Sequence, residues 1–397
     1  MTAGGSTVEG LDGYLRQLEG DEPRMLRFLG KLIRTPSLSG DEGRVADLVA
    51  GEMEGLGYEV EVDELGSVLG RRGSGGGRTV LFDGHMDHVD PGFRGSWSRD
   101  PYAAEVVDGV LYGRGSVDMK AALAAMIYGC ATPETRGVVA VGCVVHEETC
   151  EGVATRRLVE GEGLRPDVCV LGEPTDLALS VGQRGRCVFR VTTRGVTSHA
   201  SMPELGRNAL YEMTPIIDRI VEAGRSLPSH PLLGAGSMAV TGITCSPGGG
   251  PIVPDLCEIL VDRRLVPGET LKGVLEELRG LTQGAEVELV EEELTFYTGR
   301  RVRAEQYFPG WITDRGHWAV DESLRALEEA LGERPEIIGW RFSTDGVATS
   351  AALGIPTVGF GPGDPALAHQ PDERVVLSDV AAAARGYCAL AYRLTSA

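Results

Sequence analysis

A length of 397 residues and a hydrophobic share of 42% predict two or three domains with a sizeable core. The net charge is −20, from 38 basic and 58 acidic residues, so nucleic acid and anionic membrane surfaces would repel the chain. No apolar run approaches the ~20 residues of a membrane span, and the acidic N-terminus lacks the pattern of a signal peptide, so we expect a cytoplasmic protein.

The first 185 residues alternate helix-like and strand-like segments. "MLRFLGKLIR" and "GRVADLVAGEMEGLG" predict helices, and "YEVEVDE" predicts a strand of period two. The apolar runs "TVLF", "VVAVGCVV" and "DVCVLG" predict buried strands, with helical patterns such as "MKAALAAMIYG" between them. This alternation predicts the first part of an α/β domain, with a mixed, mostly parallel sheet that helices cover on both faces.

Residues 186–300 have a different pattern. Strand-like and helix-like segments follow one another in the order β-α-β-β-α-β, which is the ferredoxin-like order. The α/β pattern resumes in residues 301–397 with "HWAVDESLRALEEALG" and "IPTVGF", so the middle unit is predicted to be an insertion. The eight cysteines are scattered without CxxC spacing, and we expect reduced core residues rather than disulfides.

The stretch "LFDGHMDHVDPG" places two of the seven histidines at the end of a predicted strand. His85 and Asp87 should lie on the same side, because side chains alternate along a strand. A metal-binding imidazole usually donates its other N–H to a carboxylate, so His85 is a candidate ligand and Asp87 its partner. A polar loop after a strand explains this segment equally well.

Three acidic residues follow further along the chain. Asp118, in "YGRGSVDMKAALAAM", stands before a predicted helix and has an alternative interpretation as its N-cap. Glu147 and Glu148 end the run "VVAVGCVVHEE", where one carboxylate could bind a metal while the other acts as a general base. A solvated acidic loop is the alternative for this pair.

Two weaker signals complete the set. Glu173 ends the strand-like run of "VCVLGEP", and His369 stands in a loop in "GPGDPALAHQPDE". Taken together, the candidates follow strand ends and one helix start, and α/β sites assemble at the carboxyl ends of strands. Two histidines and three carboxylates suit Zn²⁺, Co²⁺ or Mn²⁺.

The ordered set HxD, GRGxxDxK, EE, GEP and AHxPDE resembles the two-zinc amidohydrolase and exopeptidase superfamily of acetylornithine deacetylase, succinyl-diaminopimelate desuccinylase, aminoacylase and carboxypeptidase G. The resemblance implies two Zn²⁺ ions per subunit, with Co²⁺ or Mn²⁺ as substitutes, bridged by Asp118. His85 and Glu173 would complete one site, and Glu148 and His369 the other. The peptide bond after Asp118 is often cis in this superfamily.

The resemblance also implies catalytic roles. Glu147 would be the general base that activates a water between the two ions, with Asp87 holding His85. The inserted unit would be a lid and dimerisation domain, whose His199, in "RGVTSHASMPELGRNA", would reach the active site of the partner subunit. Arg264, in "VDRRLVP", would clamp a substrate carboxylate, since its spacing fits better than that of Arg263. A homodimer acting on a small molecule with a carboxylate is therefore expected.

The expected reaction is hydrolysis of the amide bond of a small N-acyl amino acid. An exopeptidase acting on dipeptides or C-terminal residues, a ureido or carbamoyl hydrolase, and a non-catalytic binding module remain as alternatives. Two departures from the superfamily pattern, Pro251 and His146, fall where the substrate is expected and affect its identity more than the reaction. His88, His230 and His317 belong to no motif and are interpreted as structural or exposed.

Overall fold

A computed structural model describes residues 10–73, 75–161 and 163–396. Its largest element is a central sheet of nine strands, with Ile337–Trp340 pairing beside the main path. In spatial order, the other eight strands are Glu59–Val62, Val68–Gly73, Val138–Val144, Thr79–His85, Val168–Leu171, Thr357–Gly359, Leu179–Gln183 and Trp311–Ile312.

The four strands at the centre of this sheet are mutually parallel, and the outer ones add antiparallel pairs. The mixed sheet with a parallel centre confirms the predicted fold class. The strand Val138–Val144 is buried along nearly its whole length, as expected for a parallel strand covered on both faces.

Helices cover both faces of the sheet. Phe82 points towards Tyr387 in one helical layer, while its neighbour Leu81 lies beside Gly142 and Leu158 on the other face. Adjacent residues of a strand point in opposite directions, so the two contacts identify two layers. The helices outside the inserted region are Leu11–Arg34, Gly43–Gly55, Ala121–Ala131, Val153–Gly161, Trp318–Leu331 and Leu377–Leu394.

The middle of the chain forms a second sheet with its own hydrophobic cluster. Its helices and strands follow one another in the predicted β-α-β-β-α-β order. They are Gly185–Arg194, Ala209–Ala223, Ser237–Ser246, Leu256–Leu265, Leu271–Thr282 and Glu286–Leu289. Tyr307–Phe308 adds a fifth strand beside Gly185–Arg194. The domain limits at residues 185 and 300 stay predictions, and residues 1–9 of the first unit lie outside the described residues.

The last strand of the predicted β-α-β-β-α-β unit is present but shorter than its sequence pattern indicates. The sequence "AEVELVEEE" reads as a single strand, but Glu286–Leu289 joins the second sheet while Glu291–Thr295 pairs with Arg301–Glu305 in a separate hairpin. The chain leaves the sheet at Val290, whose carbonyl accepts a hydrogen bond from the amide of Gln306. The alternation of Val287 and Leu289 breaks at the adjacent apolar residue Val290, after which three glutamates follow, so the change of phase coincides with the change of partner.

The remaining elements are short. Two-residue strands form at Ser229–His230 and Gly234–Ala235, and a three-stranded sheet combines Glu105–Val107, Val110–Tyr112 and Arg374–Val376. Short helical turns lie at Arg94–Ser96, Pro203–Leu205, Val347–Ala352 and Pro365–Leu367, and Ser116–Lys120 forms a turn whose backbone is not helical at Asp118 and Met119. All eight cysteines lie in the described residues without a disulfide among them, and seven of the eight are buried. Between residues 10 and 396, leaving aside 74 and 162, no helix is both long and apolar enough to cross a bilayer.

Candidate metal centre and active-site cavity

Three neighbouring parallel strands deliver the strand-end candidates to one edge of the sheet. His85 is the last residue of Thr79–His85, and Glu173 follows Val168–Leu171. The pair Glu147 and Glu148 follows Val138–Val144 on the other side of the histidine strand. Because carboxyl ends of parallel strands meet at the same edge, residues distant in sequence become neighbours here.

Asp118 approaches this edge from the segment before the helix Ala121–Ala131. Its backbone is extended (φ −122°, ψ 94°), and the Asp118–Met119 peptide bond is cis, as the resemblance implied. Met119 packs over Gly84 and Gly172, where an added Cβ would overlap its terminal methyl group. The two glycines that precede His85 and Glu173 therefore allow the Asp118 segment to come close to the strand ends. The alternative interpretation of Asp118 as a helix cap is wrong, because no capping hydrogen bond from its side chain is present in this described segment.

The two carboxylate oxygens of Asp118 face different histidines. Oδ1 lies 3.0 Å from Nε2 of His85, and Oδ2 lies 3.2 Å from Nε2 of His369. Each histidine also has a glutamate of its own: Oε1 of Glu173 is 3.8 Å from His85, and Oε2 of Glu148 is 3.0 Å from His369. All five predicted ligands thus come together, with Asp118 between two His–Glu pairs.

Asp87 is completely buried beneath this group and organises it in two ways. Nδ1 of His85 lies 3.0 Å from the backbone oxygen of Asp87 and 3.5 Å from its carboxylate, so both groups of Asp87 face the imidazole and the carbonyl is the nearer acceptor. The carboxylate accepts hydrogen bonds from the hydroxyl of Ser39 at 2.6 Å and from the amides of Glu147 and Glu148 at 3.2 Å. It therefore positions the glutamate pair as well.

The buried carboxylates of this group repel one another, so bound positive charge would stabilise their ionised forms. Burial raises the pKa of Glu173 and of Glu147 well above the usual range, and neighbouring carboxylates add to this effect. Burial and the charge of Asp118 raise the pKa of Glu148 to about 7, and hydrogen bonds to Asp118 and Glu148 raise the pKa of His369 to about 10. Several buried carboxylates in contact are stable when cations neutralise them.

The donor set fits divalent metal ions. One ligand atom from each of His85, Asp118 and Glu148 lies within 4.8 Å of the others, and the same holds for His85, Glu147 and Glu173. Imidazole nitrogens and carboxylate oxygens are the ligands that Zn²⁺, Co²⁺ and Mn²⁺ accept in proteins. Glu147 belongs to the second of these groups, so geometry alone leaves it two possible roles, as base or as ligand.

A cavity of about 360 Å³ opens over the group. Asp118, Glu147, Glu148, Glu173 and His369 line it. The rest of its wall consists of Glu151, Arg186, Arg264, Phe342, Ser343, Pro365 and Ala368.

Of the two arginines in "VDRRLVP", Arg264 reaches this wall. The side chain of Arg263 is fully buried within the second sheet and pairs with Glu269 at 2.6 Å. Arg264 keeps 30% of its side chain exposed and pairs with Asp262 at 2.8 Å. The preference for Arg264 over Arg263 therefore agrees with the geometry.

His199, Pro251 and His146 lie away from the cavity wall. His199 is exposed on the inserted unit, where its Nδ1 contacts the hydroxyl of Ser201 at 2.7 Å. Pro251 is also exposed. His146 is buried and contacts the backbone oxygen of Thr295 at 3.1 Å, with its ring against Phe296. The expectation that His146 lies beside the substrate is wrong, because its positive φ of 63° accompanies a turn in which it contacts these residues instead.

Sequence reasoning missed the buried pair Arg114 and Glu373. Their side chains meet at 2.6 Å, and the carboxylate of Glu373 also accepts hydrogen bonds from the amides of Val117 and Asp118 at 2.8 and 3.2 Å. Arg114 additionally donates to the backbone oxygen of His369 at 3.3 Å. Arg114 belongs to the motif GRGxxDxK and Glu373 to the motif AHxPDE, so their place beside two predicted ligands was the sequence feature that could have identified them.

Arg114→Ala is expected to lower the free energy of unfolding by about 3–5 kcal/mol, because it leaves the carboxylate of Glu373 buried without its partner. Urea unfolding followed by circular dichroism would measure the change. Arg156→Ala, which removes an exposed ion pair with Glu160, serves as the control and should leave the midpoint nearly unchanged. Equal midpoints for the two variants would contradict the stabilising role of the buried pair.

Comparison with known proteins identifies the family. A sequence profile of peptidase family M20/M25/M40 matches residues 81–393. The uncharacterised protein YgeY of Escherichia coli K12 is 36% identical over 376 residues, covering 92% of this chain and 93% of its own. A protein of Cereibacter sphaeroides named succinyl-diaminopimelate desuccinylase is 30% identical over 379 residues, covering 88% and 93%.

A solved structure shares the fold. The M20 family metallo-carboxypeptidase Sso-CP2 from Sulfolobus solfataricus superposes with a TM-score of 0.76 at 19% identity, covering 93% of this chain and 99% of its own. The family profile and the curated relatives confirm the resemblance drawn from the motifs. The chain therefore belongs to peptidase family M20/M25/M40 and is a metal-dependent hydrolase of C–N bonds.

Proposed function

We propose that this protein hydrolyses the amide bond of a small N-acyl amino acid with the help of two zinc ions. The observation that carries the proposal is the position of Asp118, whose two oxygens face His85 and His369 at 3.0 and 3.2 Å. A carboxylate shared in this way suits a bridge between two ions. The curated relative named succinyl-diaminopimelate desuccinylase supports the choice of an N-acyl substrate.

Each ion would have its own pair of ligands in addition to the shared one. His85 and Glu173 would hold the first ion, and Glu148 and His369 the second. Two imidazoles and three carboxylates without a thiolate fit Zn²⁺, with Co²⁺ or Mn²⁺ as substitutes. When bound, such ions supply Lewis acidity to the attacking water and to the scissile carbonyl group.

Glu147 would carry out the two proton transfers of the reaction, from the attacking water and to the leaving amine. It lines the cavity, is only 6% exposed, and has its backbone amide held by Asp87 at 3.2 Å. Its carboxylate takes a proton from the attacking water and returns it to the leaving amine, which is the work of a general base and then a general acid. Burial raises its pKa, and this suits a group that must hold the proton between the two steps.

Arg264 would bind the carboxylate group of the substrate. Its guanidinium group lies on the cavity wall and remains partly exposed, with one side taken by Asp262. A guanidinium group can bind a carboxylate through two parallel hydrogen bonds, which orients the scissile amide as well as retaining the substrate.

The active unit is proposed to be a homodimer joined through residues 186–300. The strand Ser237–Ser246 is a ten-residue edge of the second sheet, and its Ile243 is 52% exposed. A long edge strand with apolar side chains is a surface suited to pairing with another chain. His199 is exposed outside the cavity of its own subunit, which supports an action in the cavity of the partner.

A metallo-exopeptidase is the second candidate. The cavity of about 360 Å³ has room for a second amino-acid residue, and its metal ligands would be the same. The solved relative named a metallo-carboxypeptidase has this fold.

The first experiment measures free-amine release by zinc-reconstituted protein, with and without a chelator. The substrates are N-acetyl, N-succinyl and N-carbamoyl amino acids and a set of dipeptides. We expect turnover of the acyl amino acids that the chelator abolishes and added zinc restores. Turnover of dipeptides alone would replace the deacylase assignment with the exopeptidase, and turnover of every substrate in the presence of chelator would contradict a metal-dependent mechanism.

A further inference from the structure

Two arginines face the cavity from paired strands. Arg186, on Gly185–Arg194, is the register partner of Arg264 on Leu256–Leu265, so the two side chains lie on the same face. Asp262 stands between them, with its oxygens 2.8 Å from Nε of Arg264 and 3.7 Å from Nε of Arg186. The first pair is hydrogen-bonded, whereas the second distance is too long for a hydrogen bond.

Glu151 faces these arginines from the catalytic side of the cavity and is 8% exposed. Its Oε1 accepts a hydrogen bond from the hydroxyl of Ser343 at 2.5 Å and lies 3.7 Å from Nη1 of Arg186. Within the described residues, Oε2 of Glu151 and Nε of Arg186 are buried without a hydrogen-bond partner. A buried acceptor and a buried donor thus stand unsatisfied on the same wall, although unpaired buried polar atoms are costly.

The charges on this wall already balance before a substrate binds. Arg186 and Arg264 supply two positive charges, and Glu151 and Asp262 supply two negative ones. A substrate whose only charge is a carboxylate would add an uncompensated negative charge to a site of low exposure. A substrate with both a carboxylate and an ammonium group would keep the wall neutral and supply N–H donors to Oε2 of Glu151.

We propose that Glu151 forms a subsite for a free ammonium group of the substrate, so that the protein selects substrates carrying both a carboxylate and an amine. This inference rests on the proposed function, since it names the class of substrate that the same cavity takes. Arg264 would bind the carboxylate, Glu151 would bind the ammonium group, and Arg186 would lie between the two. A substrate with an apolar group beside Glu151 would leave the carboxylate of Glu151 buried without a hydrogen-bond donor for Oε2.

The test compares two N-acyl amino acids that differ in the amine alone. Nα-acetylornithine carries a side-chain ammonium group, and N-acetylnorvaline has a neutral side chain of the same carbon count. With the zinc-loaded wild-type protein, we expect kcat/KM for the first to exceed that for the second by about tenfold or more. In Glu151→Gln, which keeps an acceptor for Ser343, the ratio should fall to about 1–3 because the charge is lost.

Glu160→Gln is the matched control. Glu160 is an exposed residue of Val153–Gly161, so the variant changes the net charge by the same amount at a distant place. Its substrate ratio should equal that of the wild type. The proposal is overturned if the wild type prefers the norvaline substrate, or if Glu151→Gln keeps the wild-type ratio.

A binding measurement separates this inference from the proposed function. Calorimetry of the zinc-loaded protein with 5-aminopentanoate and with pentanoate, in the wild type and in Glu151→Gln, does not require turnover, and the two ligands differ in the ammonium group alone. Tighter binding of 5-aminopentanoate that disappears in the variant supports the subsite even if neither acetyl substrate is hydrolysed, a result that would count against the deacylase alone. Equal binding of the two ligands by the wild type overturns the subsite.

Discussion

Glu147→Gln is expected to lower kcat by about 10²–10⁴-fold while both metal ions remain bound, because the amide cannot accept the proton of the attacking water. Glutamine has nearly the size of glutamate, and the backbone amide of residue 147 would keep its hydrogen bond to Asp87. The measurement combines kcat on the best substrate of the panel with the metal content per subunit.

Glu148→Gln is the matched comparison, since it changes the neighbouring residue in the same way. Glu148 lies 3.0 Å from His369 and is assigned to a metal ion, so this variant should lose metal as well as activity. Glu147 also lies within 4.8 Å of His85 and Glu173, in an arrangement that could hold a metal ion. If Glu147→Gln loses metal as Glu148→Gln does, Glu147 is a ligand and the base must be sought elsewhere.

The ordered motifs predicted which residues gather at the edge of the central sheet. His85, Glu147 and Glu173 each follow an apolar run, and apolar runs identify buried parallel strands, whose carboxyl ends meet. The order of the motifs along the chain then argued against the alternatives for single segments, such as a polar loop or a solvated acidic loop. The set of residues, and the edge of the sheet at which they gather, could therefore be predicted from the sequence.

The contacts that hold the set in place could not be predicted in the same way. Arg114 and Glu373 are separated by 259 positions, and no periodicity relates them. Asp87 was predicted to hold His85, but its carboxylate accepts the amides of Glu147 and Glu148 as well, a contact across two strands. Such contacts depend on the turns after the strands, which follow no repeating pattern.

In the second sheet, too, the elements could be predicted from the sequence but some of the contacts between them could not. Its six elements were predicted in order because each follows a hydrophobic period typical of a strand or a helix, whereas the departure of the chain at Val290 was missed. Arg186 reads as an ordinary polar position of a strand. Its pairing with Arg264 becomes visible only when the register of the two strands is known.

His199→Ala is expected to lower kcat by about 10²–10³-fold, the usual loss when one donor to a developing oxyanion is removed. The residue is exposed and contacts mainly its neighbour Ser201, so folding and metal content should be unchanged. His230→Ala is the control, because His230 lies in the same unit in a short hairpin and belongs to no motif. It should retain wild-type activity.

A hybrid dimer decides whether His199 acts in the partner subunit. His199→Ala and Glu147→Gln subunits carrying different tags can be co-expressed, and the mixed dimer can be purified through both tags. If each active site combines Glu147 of one subunit with His199 of the other, the mixed dimer contains one intact site and should show about half the wild-type rate, although both parents are nearly inactive. If His199 acted within its own subunit, no site in the mixed dimer would be complete, and its rate would be as low as that of the parents. Recovery of activity therefore requires both the homodimer and the exchange of His199 between its subunits.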